Sequence, residues 1–360
     1  MTETPLRLAL VTDAWTPQVN GVVRTLSTTA TLLEERGGDV LVIAPDRFPS
    51  VPCPTYPEIR LALARPGAIG RLIEAHGANA VHIATEGPLG LAARRHCLRV
   101  GRSFTTSFHT RFPDYVEARI GLPARLSWRY LAWFHRRARA ILVATPSLAA
   151  ELAGHGLPQT RIWSRGVDLD QFRPGLPPPE AYARLERPIL LNVGRVAVEK
   201  NLEAFLSLET PGSKVVVGDG PALPALKARF PAVHFLGALS GEALARAFSG
   251  ADLFVFPSRT DTFGLVLVEA MASGLPVAAY PVPGPLDVVG HSGAGALDED
   301  LGRAIAKAMR IPRAAAIAHA REFTWDAAVS QFEAAIEDCF GIQPRRRRWL
   351  RRTAPSAQAA

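Results

Sequence analysis

Cysteine is scarce in this sequence, and its three cysteines, Cys53, Cys97 and Cys339, are far apart. They form no Cys-x-x-Cys pair, which argues against a disulfide framework and against a zinc site. Apolar runs are short as well, and none approaches the roughly 18 residues that a membrane-spanning helix needs. The N-terminus lacks the basic flank and long apolar stretch of a signal peptide. We therefore expect a cytoplasmic protein whose membrane contact, where it exists, is peripheral and on the inner face.

Positive charge is concentrated near one end of the chain. The formal net charge is +8, and six arginines lie in the segment RRRRWLRR near the C-terminus. Because the remaining chain is nearly neutral, a nucleic-acid-binding face on the folded body is not expected. The arginines and the tryptophan of this segment are typical of contact with an anionic membrane surface, and a solvated charge run is the alternative.

Short β-branched runs alternate with helical patterns along most of the chain, as in parallel sheets built from βαβ units. The strand-like runs are LRLALVT, DVLVIAP, AVHIAT, RSFTTSF and AILVATP in the first half, and RPILLNV, SKVVVG, AVHFLG, ADLFVFP and LPVAAYP in the second. The length of 360 residues exceeds what one core usually supports. We predict two Rossmann-like α/β domains, a helix that crosses back to the first domain, and a basic tail: 1–166, 167–323, 324–340 and 341–360.

The segment SRTDTFGLVLVEAMASG places Gly264 between a predicted strand and a predicted helix. Free amides at a helix start bind phosphate, and a residue without a side chain lets a diphosphate approach closely. Asp261 precedes this helix and Glu269 lies within it, where carboxylates can accept hydrogen bonds from sugar hydroxyls. In NVGRVAVEKN, Arg195 and Lys200 are two cations at a similar strand-to-helix edge. Taken singly, these residues would be interpreted as a helix cap, a solvated carboxylate and surface charge.

Several motifs occur in order up to Phe340: TPQVNGVVRT, SFHTRFPDY, RGVDLDQF, GRVAVEKN, VVVGDGP and the carboxylate-x7-Glu segment. Together they resemble glycosyltransferase family four. The resemblance implies the GT-B fold, in which two Rossmann-like domains face each other across a cleft. It also implies a retaining, metal-independent hexosyltransferase that uses a UDP- or GDP-hexose donor. A nicotinamide-dependent oxidoreductase is disfavoured, because no Gly-x-Gly-x-x-Gly follows the first strand.

The resemblance implies roles for individual residues. The catalytic set that it implies is His109 facing the reacting carbon, with Arg195, Lys200 and Asp261. The implied donor contacts are Gly218, Asp219, Gly220, Phe263, Gly264, Leu265 and Glu269. The implied loop near the phosphate and the acceptor contains Asn20 and Gly21. No metal ligand and no cofactor is expected. The family usually has glutamate at the position of Asp261, so the shorter side chain affects the expected donor sugar more than the reaction.

The segment ARLSWRYLAWFHRRARA combines aromatic residues and arginines in an amphipathic pattern. Such a helix can lie in a membrane interface, and a crossover helix with its aromatic residues in the core is the alternative. With the basic tail it favours a lipid acceptor such as diacylglycerol or a phosphoinositide. A soluble or polysaccharide acceptor remains open, as does a non-catalytic, membrane-bound sensor of nucleotide sugars.

Overall fold

The computed structural model describes residues 5–18, 20–53, 56–109, 111 and 123–342. The arginine-rich tail from residue 343 onward lies outside the described residues, as does most of the motif that follows His109. The described chain contains two six-stranded parallel sheets, each covered by helices, and one antiparallel hairpin. The predicted α/β architecture with two parallel sheets is therefore confirmed.

The first sheet has the strand order β2-β1-β5-β6-β7-β8. The strands of the first half are β1 (Arg7–Val11), β2 (Asp39–Ile43), β3 (Ser50–Cys53), β4 (Tyr56–Ala62), β5 (Ala80–Ile83), β6 (Thr105–Phe108), β7 (Ile141–Val143) and β8 (Thr160–Ile162). Its helices are α1 (Gly21–Glu35), α2 (Pro66–His76), α3 (Pro88–Arg99), α4 (Ala124–His135) and α5 (Pro146–Gly154). Strands β3 and β4 form the separate hairpin.

The second sheet has the strand order β11-β10-β9-β12-β13-β14. Its strands are β9 (Ile189–Val193), β10 (Ser213–Val217), β11 (His234–Gly237), β12 (Leu253–Phe256), β13 (Val277–Ala279) and β14 (Gly295–Leu297). Its helices are α6 (Leu202–Leu206), α7 (Leu223–Arg229), α8 (Gly241–Gly250), α9 (Leu265–Ala272), α10 (Pro283–Val288), α11 (Leu301–Ala308) and α12 (Arg313–Ala320). The order reverses between β9 and β12, and parallel sheets bind ligands at such a reversal.

The last helix, α13 (Trp325–Phe340), packs against the first domain. Its N-cap is Thr324, whose hydroxyl accepts a hydrogen bond from the amide of Ala327 at 3.2 Å. Val329 and Phe332 lie in the core cluster that also contains residues of β1 and α1. A helix that follows the second sheet therefore completes a core of the first, while the exact domain boundaries remain predictions.

Two connections between the domains run side by side. Val167 pairs with Thr324 in a single parallel bridge, and the amide of Val167 donates to the carbonyl of Phe323 at 3.0 Å. A Cβ on Gly166 would lie 2.3 Å from the backbone nitrogen of Trp325, so only glycine fits this close approach. The proline-rich segment that follows is packed on the second domain, because Phe172 is fully buried there.

Helix α4 has features of both predicted alternatives, a crossover helix with aromatic residues in the core and a helix with aromatic residues on its surface. Leu131 and Phe134 are buried, and the indole of Trp128 stacks on the ring of His155 at a centroid distance of 3.8 Å. Tyr130 and Trp133 instead remain 36% and 37% exposed. The helix is thus a crossover between β6 and β7 whose outer face carries aromatic residues among exposed arginines. No helix within the described ranges is long and apolar enough to cross a membrane.

Candidate functional site

Loops from both domains meet at the carboxyl ends of the parallel strands. His109 directly follows β6, Arg195 comes two residues after β9, and the loop from Asp261 to Gly264 follows β12. The hydroxyl of Thr262 donates a hydrogen bond to the main-chain carbonyl of His109 at 2.7 Å. This contact joins the two sheets across the cleft, so residues far apart in sequence form one site.

The Gly-Asp-Gly segment after β10 is held against the loop that follows β9. A Cβ on Gly218 would lie 1.8 Å from the carbonyl oxygen of Gly194, and one on Gly220 would lie 2.4 Å from that of Val196. The positive φ angles of these two glycines, 141° and 156°, also favour residues without a side chain. The exposed Asp219 accepts a hydrogen bond from the Gly220 amide at 2.7 Å, so its carboxylate supports this turn.

Lys200 and Asp261 form an ion pair at the edge of the second sheet. The Lys200 ammonium donates to Oδ1 of Asp261 at 2.6 Å. The other carboxylate oxygen, Oδ2, is buried and has no hydrogen-bond partner among the described residues. Asp261 therefore does not cap the following helix, whose N-cap is Gly264. Its second oxygen is left to accept a hydrogen bond from a ligand.

The start of α9 faces the first domain. Gly264 has a φ of +82°, and no side chain caps the helix that begins at Leu265. A Cβ on Gly21, at the start of α1, would lie 3.3 Å from Cδ1 of Leu265. Asn20 caps α1 through hydrogen bonds from the amides of Val22 and Val23, both at 3.0 Å. Two helix starts with positive dipole ends therefore meet here: Asn20 caps that of α1, and no side chain caps that of α9.

Glu269 is paired with a residue of the first domain. The Arg24 guanidinium, on α1, donates a hydrogen bond through Nη1 to Oε1 of Glu269. No hydrogen bond from a described residue reaches Oε2. Glu269 is only 3% exposed, and this burial raises its pKa, while the nearby Arg24 charge acts in the opposite direction. The carboxylate thus has one oxygen held by a cation from across the cleft.

His109 is held by Arg165, which precedes the connection between the domains. The Arg165 guanidinium donates through Nη2 to Nδ1 of His109 at 3.1 Å. Burial and the positive charge of Arg165 lower the pKa of His109 well below its usual value, with a smaller effect from His82. The ring is therefore neutral at physiological pH. Its Nε2 is shielded from solvent and has no partner in the described part of the chain.

The remaining predicted residues are spread along the same edge. Arg195 is half-buried two residues after β9, and Phe263 is buried with its ring 6.0 Å from that of Phe323. The structure therefore brings His109, Lys200, Asp261, Gly264 and Glu269 to facing edges of the two sheets. It also shows that Gly218, Gly220 and Asn20 shape loops through their backbones and caps.

Sequence reasoning missed three polar residues of these loops. Arg24 and Arg165 pair with predicted site residues, and Asp13, after β1, accepts hydrogen bonds from the amides of Leu89 and Gly90 at 2.8 and 3.3 Å. Burial raises the pKa of Asp13, and the hydrogen bonds partly offset this effect. Arg24 lies inside the motif TPQVNGVVRT and Arg165 inside RGVDLDQF. Their positions in these motifs could have identified them as site residues from the sequence.

Comparisons with known proteins agree with this arrangement. Residues 19–171 match the model of Glycosyltransferase Family 4, and residues 187–311 match the model of Glycosyl transferases group 1. A GDP-mannose-dependent alpha-mannosyltransferase of Mycolicibacterium smegmatis is 32% identical over 316 residues, which cover 81% of this chain and 84% of that relative. An alpha-monoglucosyldiacylglycerol synthase of Streptococcus pneumoniae is 25% identical over 346 residues, covering 84% of this chain and 78% of that relative.

The architecture is shared with solved structures as well. Sucrose-phosphate synthase from Thermosynechococcus elongatus superposes with a TM-score of 0.75 over 94% of this chain and all of that one, at 20% identity. This likeness shows the fold, which is GT-B. Both halves of the sequence match glycosyltransferase models, and the chain covers most of a relative with which it shares 32% identity. The protein therefore belongs to glycosyltransferase family 4 and is a hexosyltransferase.

Proposed function

We propose that this glycosyltransferase moves a hexosyl group, with retention of configuration, from a UDP- or GDP-hexose to a hydroxyl of a membrane lipid. The part of this proposal that concerns the nucleotide-sugar donor rests on two carboxylates beside the start of α9. Glu269 and Asp261 each have one oxygen on a cation and one oxygen to which no described residue donates a hydrogen bond, and that oxygen of Asp261 is buried. Such half-satisfied acceptors suit ribose and sugar hydroxyls, because a buried carboxylate oxygen is costly without a hydrogen bond.

Positive potential for the leaving diphosphate comes from the same edge. Arg195 and Lys200 lie after β9, and the free amides at Gly264 and Leu265 begin α9. Preorganised donors aimed at developing negative charge are usually the largest catalytic contribution. We therefore propose that the diphosphate leaves without help from a metal ion. In this proposal Lys200 serves both the diphosphate and Asp261, which it contacts at 2.6 Å.

We propose that retention does not proceed through a covalent intermediate. A double displacement needs a free carboxylate nucleophile beside the anomeric carbon. Glu269 and Asp261 are each bound to a cation, so we assign them to hydroxyl groups and not to covalent catalysis. We propose a front-side attack, in which the acceptor hydroxyl enters on the leaving-group side and a phosphate oxygen takes its proton. His109 orients the donor sugar through a hydrogen bond.

The acceptor half of the proposal rests on the outer face of α4. Its exposed residues include Arg125, Leu126, Arg129, Tyr130 and Trp133. Arginine with interfacial aromatic residues favours contact with anionic lipid headgroups. The Tyr130 hydroxyl donates to the main-chain carbonyl of Glu86 at 2.6 Å, which places this face beside the loop that follows β5. A membrane-bound acceptor would thus arrive close to the cleft.

Two relatives guide the choice of substrates. One is named for its dependence on GDP-mannose and another for the synthesis of a glucosyldiacylglycerol. We therefore take GDP-mannose as the first donor to test and diacylglycerol as the first lipid. A soluble or polysaccharide acceptor is the second candidate, and it predicts turnover that does not depend on a membrane.

The test measures nucleotide release from GDP-mannose and from UDP-hexoses, with and without anionic liposomes that contain diacylglycerol. Release that requires liposomes supports the proposal, and the anomeric configuration of the glycolipid, read by NMR, tests retention. The double variant Asp261→Ala/Glu269→Ala is the negative control. Liposome-independent release would favour a soluble acceptor. Donor binding without release under any condition would refute the proposed transfer and favour a sensor.

A matched pair of variants tests the role of α4 in this assay. Trp133→Ala/Arg129→Ala removes an aromatic residue and a cation from the exposed face, while Arg246→Ala removes a half-buried cation of α8 in the second domain. We expect liposome sedimentation and lipid-dependent release to fall in the first variant only. Equal membrane binding in both variants would remove α4 from the proposal.

A further inference from the structure

Arg165 is a buried cation whose hydrogen bonds converge on one loop and one ring. Besides His109, it donates to the carbonyl of Trp163 and, at 3.0 Å, to that of Ser164. Its guanidinium carbon also lies 4.5 Å from the centre of the Trp163 ring. Only 5% of the residue is exposed, and burial lowers its pKa to about 9, so it remains protonated at neutral pH. These contacts fix the guanidinium in one orientation.

A guanidinium can only donate hydrogen bonds. Because Arg165 contacts Nδ1 of His109 at 3.1 Å, Nδ1 must accept and cannot carry a proton. The proton of the neutral imidazole is then on Nε2. A neutral histidine normally samples both tautomers, and a partner on one nitrogen decides which is present.

The other ring nitrogen of His109, Nε2, has no hydrogen-bond partner among the described residues. Nε2 of His109 is shielded from solvent and makes no hydrogen bond within the described residues. A buried N–H of this kind is destabilising unless a ligand accepts its hydrogen bond. The loop from Asp261 to Gly264 carries another buried polar atom without a partner among the described residues, Oδ2 of Asp261. One open donor and one open acceptor therefore lie on loops that are joined by the Thr262–His109 hydrogen bond.

We propose that Arg165 is a positioning residue that fixes His109 as the Nε2–H tautomer, so that the ring presents a hydrogen-bond donor to the donor sugar. The tautomer follows from the protein alone, whereas the contact with the sugar rests on the proposed function. Arg165 acts through His109 and does not itself touch the substrate.

The groups around His109 keep the ring neutral and leave Arg165 as its charged neighbour. His82 lies beneath it with its pKa lowered to about 3 by burial, and its two nitrogens are bound to the hydroxyls of Thr105 and Ser107 at 2.9 and 2.7 Å. The Trp163 ring packs edge-on at a centroid distance of 5.5 Å. No carboxylate of the described residues is hydrogen-bonded to His109, so Arg165 determines which nitrogen is protonated.

The tautomer can be read directly by NMR. Full-length protein labelled with 15N in histidine gives long-range 1H–15N spectra that distinguish a protonated from an unprotonated ring nitrogen. The His109 signals are identified by their loss in His109→Gln. We expect the wild-type protein at neutral pH to show an unprotonated Nδ1 and a protonated Nε2. A protonated Nδ1 would overturn the inference without any activity measurement.

Variants connect the tautomer to turnover. Arg165→Met keeps the length of the side chain but donates no hydrogen bond, and Arg165→Lys keeps a donor and the charge. We expect Arg165→Met to shift His109 towards the Nδ1–H form and to lower kcat by roughly 10²-fold, the usual cost of one transition-state donor. The donor KM should change little, and Arg165→Lys should restore both the tautomer and part of kcat.

Arg94→Met is the matched control. Arg94 is also a buried arginine that donates to two main-chain carbonyls, of Phe134 and Trp133, and its guanidinium lies 3.9 Å from the Trp133 ring centre. This variant should leave the His109 signals unchanged. An unaltered tautomer in Arg165→Met refutes the positioning role, and an altered tautomer with normal kcat refutes the hydrogen bond to the sugar. If Arg165→Met does not fold, the spectra of the wild type and of Arg165→Lys still test whether the residue at position 165 sets the tautomer of His109.

Failure of the proposed function would look different. A wild-type protein that binds nucleotide sugars but transfers none would refute the transfer reaction, whereas its His109 spectrum would still report on Arg165. An active enzyme whose His109 carries its proton on Nδ1 would refute only the role of Arg165.

Discussion

Replacing Arg24 by methionine should make donor binding sensitive to acid. Arg24 donates to Glu269 from the opposite domain, and Glu269 is buried. Burial raises the pKa of this carboxyl group and the Arg24 charge counters the rise. Without the guanidinium, the pKa of Glu269 rises further. The carboxylate then takes up a proton at a higher pH and can no longer accept hydrogen bonds with both oxygens.

The size of the effect follows from the geometry of the pair. An adjacent opposite charge lowers the pKa of a carboxyl group by roughly 1–3 units. The Arg24 side chain is 33% exposed, so solvent screening puts the expected change near the lower end of that range. One unit corresponds to about 1.4 kcal/mol, or about a tenfold loss of nucleotide affinity at a pH below the new pKa.

Other charged groups on the elements packed against α9 face elsewhere. On α12, His319 contacts the carbonyl of Val288, and Arg313 donates to main-chain carbonyls. On α10, Asp287 accepts a hydrogen bond from the Ser147 hydroxyl at 2.8 Å. The predicted acid sensitivity of the variant is therefore assigned to the Arg24–Glu269 pair.

The assay is calorimetric titration of GDP and UDP at about pH 8 and about pH 6, on either side of neutrality. The terminal phosphate of the nucleotide itself takes up a proton near about pH 6, which affects both proteins equally, so Arg24→Met should lose more affinity than the wild type at the lower pH. Arg36→Met is the control, since Arg36 follows the same helix but pairs with Asp326 and Glu333 of α13. If Arg24→Met and the wild type show the same dependence on pH, the reasoning about Glu269 is wrong.

Three further predictions concern the loop that contains Asp261, the buried His82 and the effect of metal chelation. A Cβ on Gly284 would lie 2.6 Å from the carbonyl oxygen of Asp261, so Gly284→Ala should displace that loop, cost roughly 1–3 kcal/mol and reduce turnover. Gly154→Ala meets no atom within 4 Å and should be neutral in thermal melting and in the release assay, and equal effects of both variants would contradict this. Burial lowers the pKa of His82 from 6.5 to about 3, so the unfolded chain binds a proton before the native state does. The free energy of unfolding should therefore fall as the pH drops from about 6.5 towards 3, by up to about 1.4 kcal/mol per pH unit from this residue. Urea titrations of His82→Asn should show a shallower dependence on pH, and an unchanged slope would count against the buried neutral histidine. Finally, chelation by EDTA should leave nucleotide release intact, and a loss of about tenfold or more that Mg²⁺ or Mn²⁺ restores would show that the cations and helix start do not suffice.

The strands were predictable because their sequences are short, β-branched and bounded by turns. All ten predicted runs contain a strand of one of the two sheets. The sequence analysis missed β8 and β14, which have three residues each, and their segments TRI and GAL carry little pattern. It also missed the hairpin of β3 and β4. Segments as short and as weakly patterned as β8 and β14 are specified by their neighbours in the sheet more than by their own residues.

The site was predictable only where its chemistry is local. Gly264, Asp261 and Glu269 lie within nine residues of one another in the sequence, so their spacing indicated a phosphate and sugar site. The cations that hold His109 and Glu269 are 56 and 245 residues away from them. Nothing in the local pattern pairs such distant residues, because the fold of the first domain creates the pair of His109 and Arg165, and the packing of one domain on the other creates the pair of Glu269 and Arg24.

The return of α13 to the first domain has a consequence for synthesis on the ribosome. Phe332 packs against Trp163 at a ring distance of 4.7 Å and shares its core cluster with Leu26. At roughly 5–20 residues per second, this helix appears on the order of ten seconds or more after Trp163. During that interval the first domain presents an uncovered apolar groove to solvent, so the nascent chain should bind chaperones until its last helix docks.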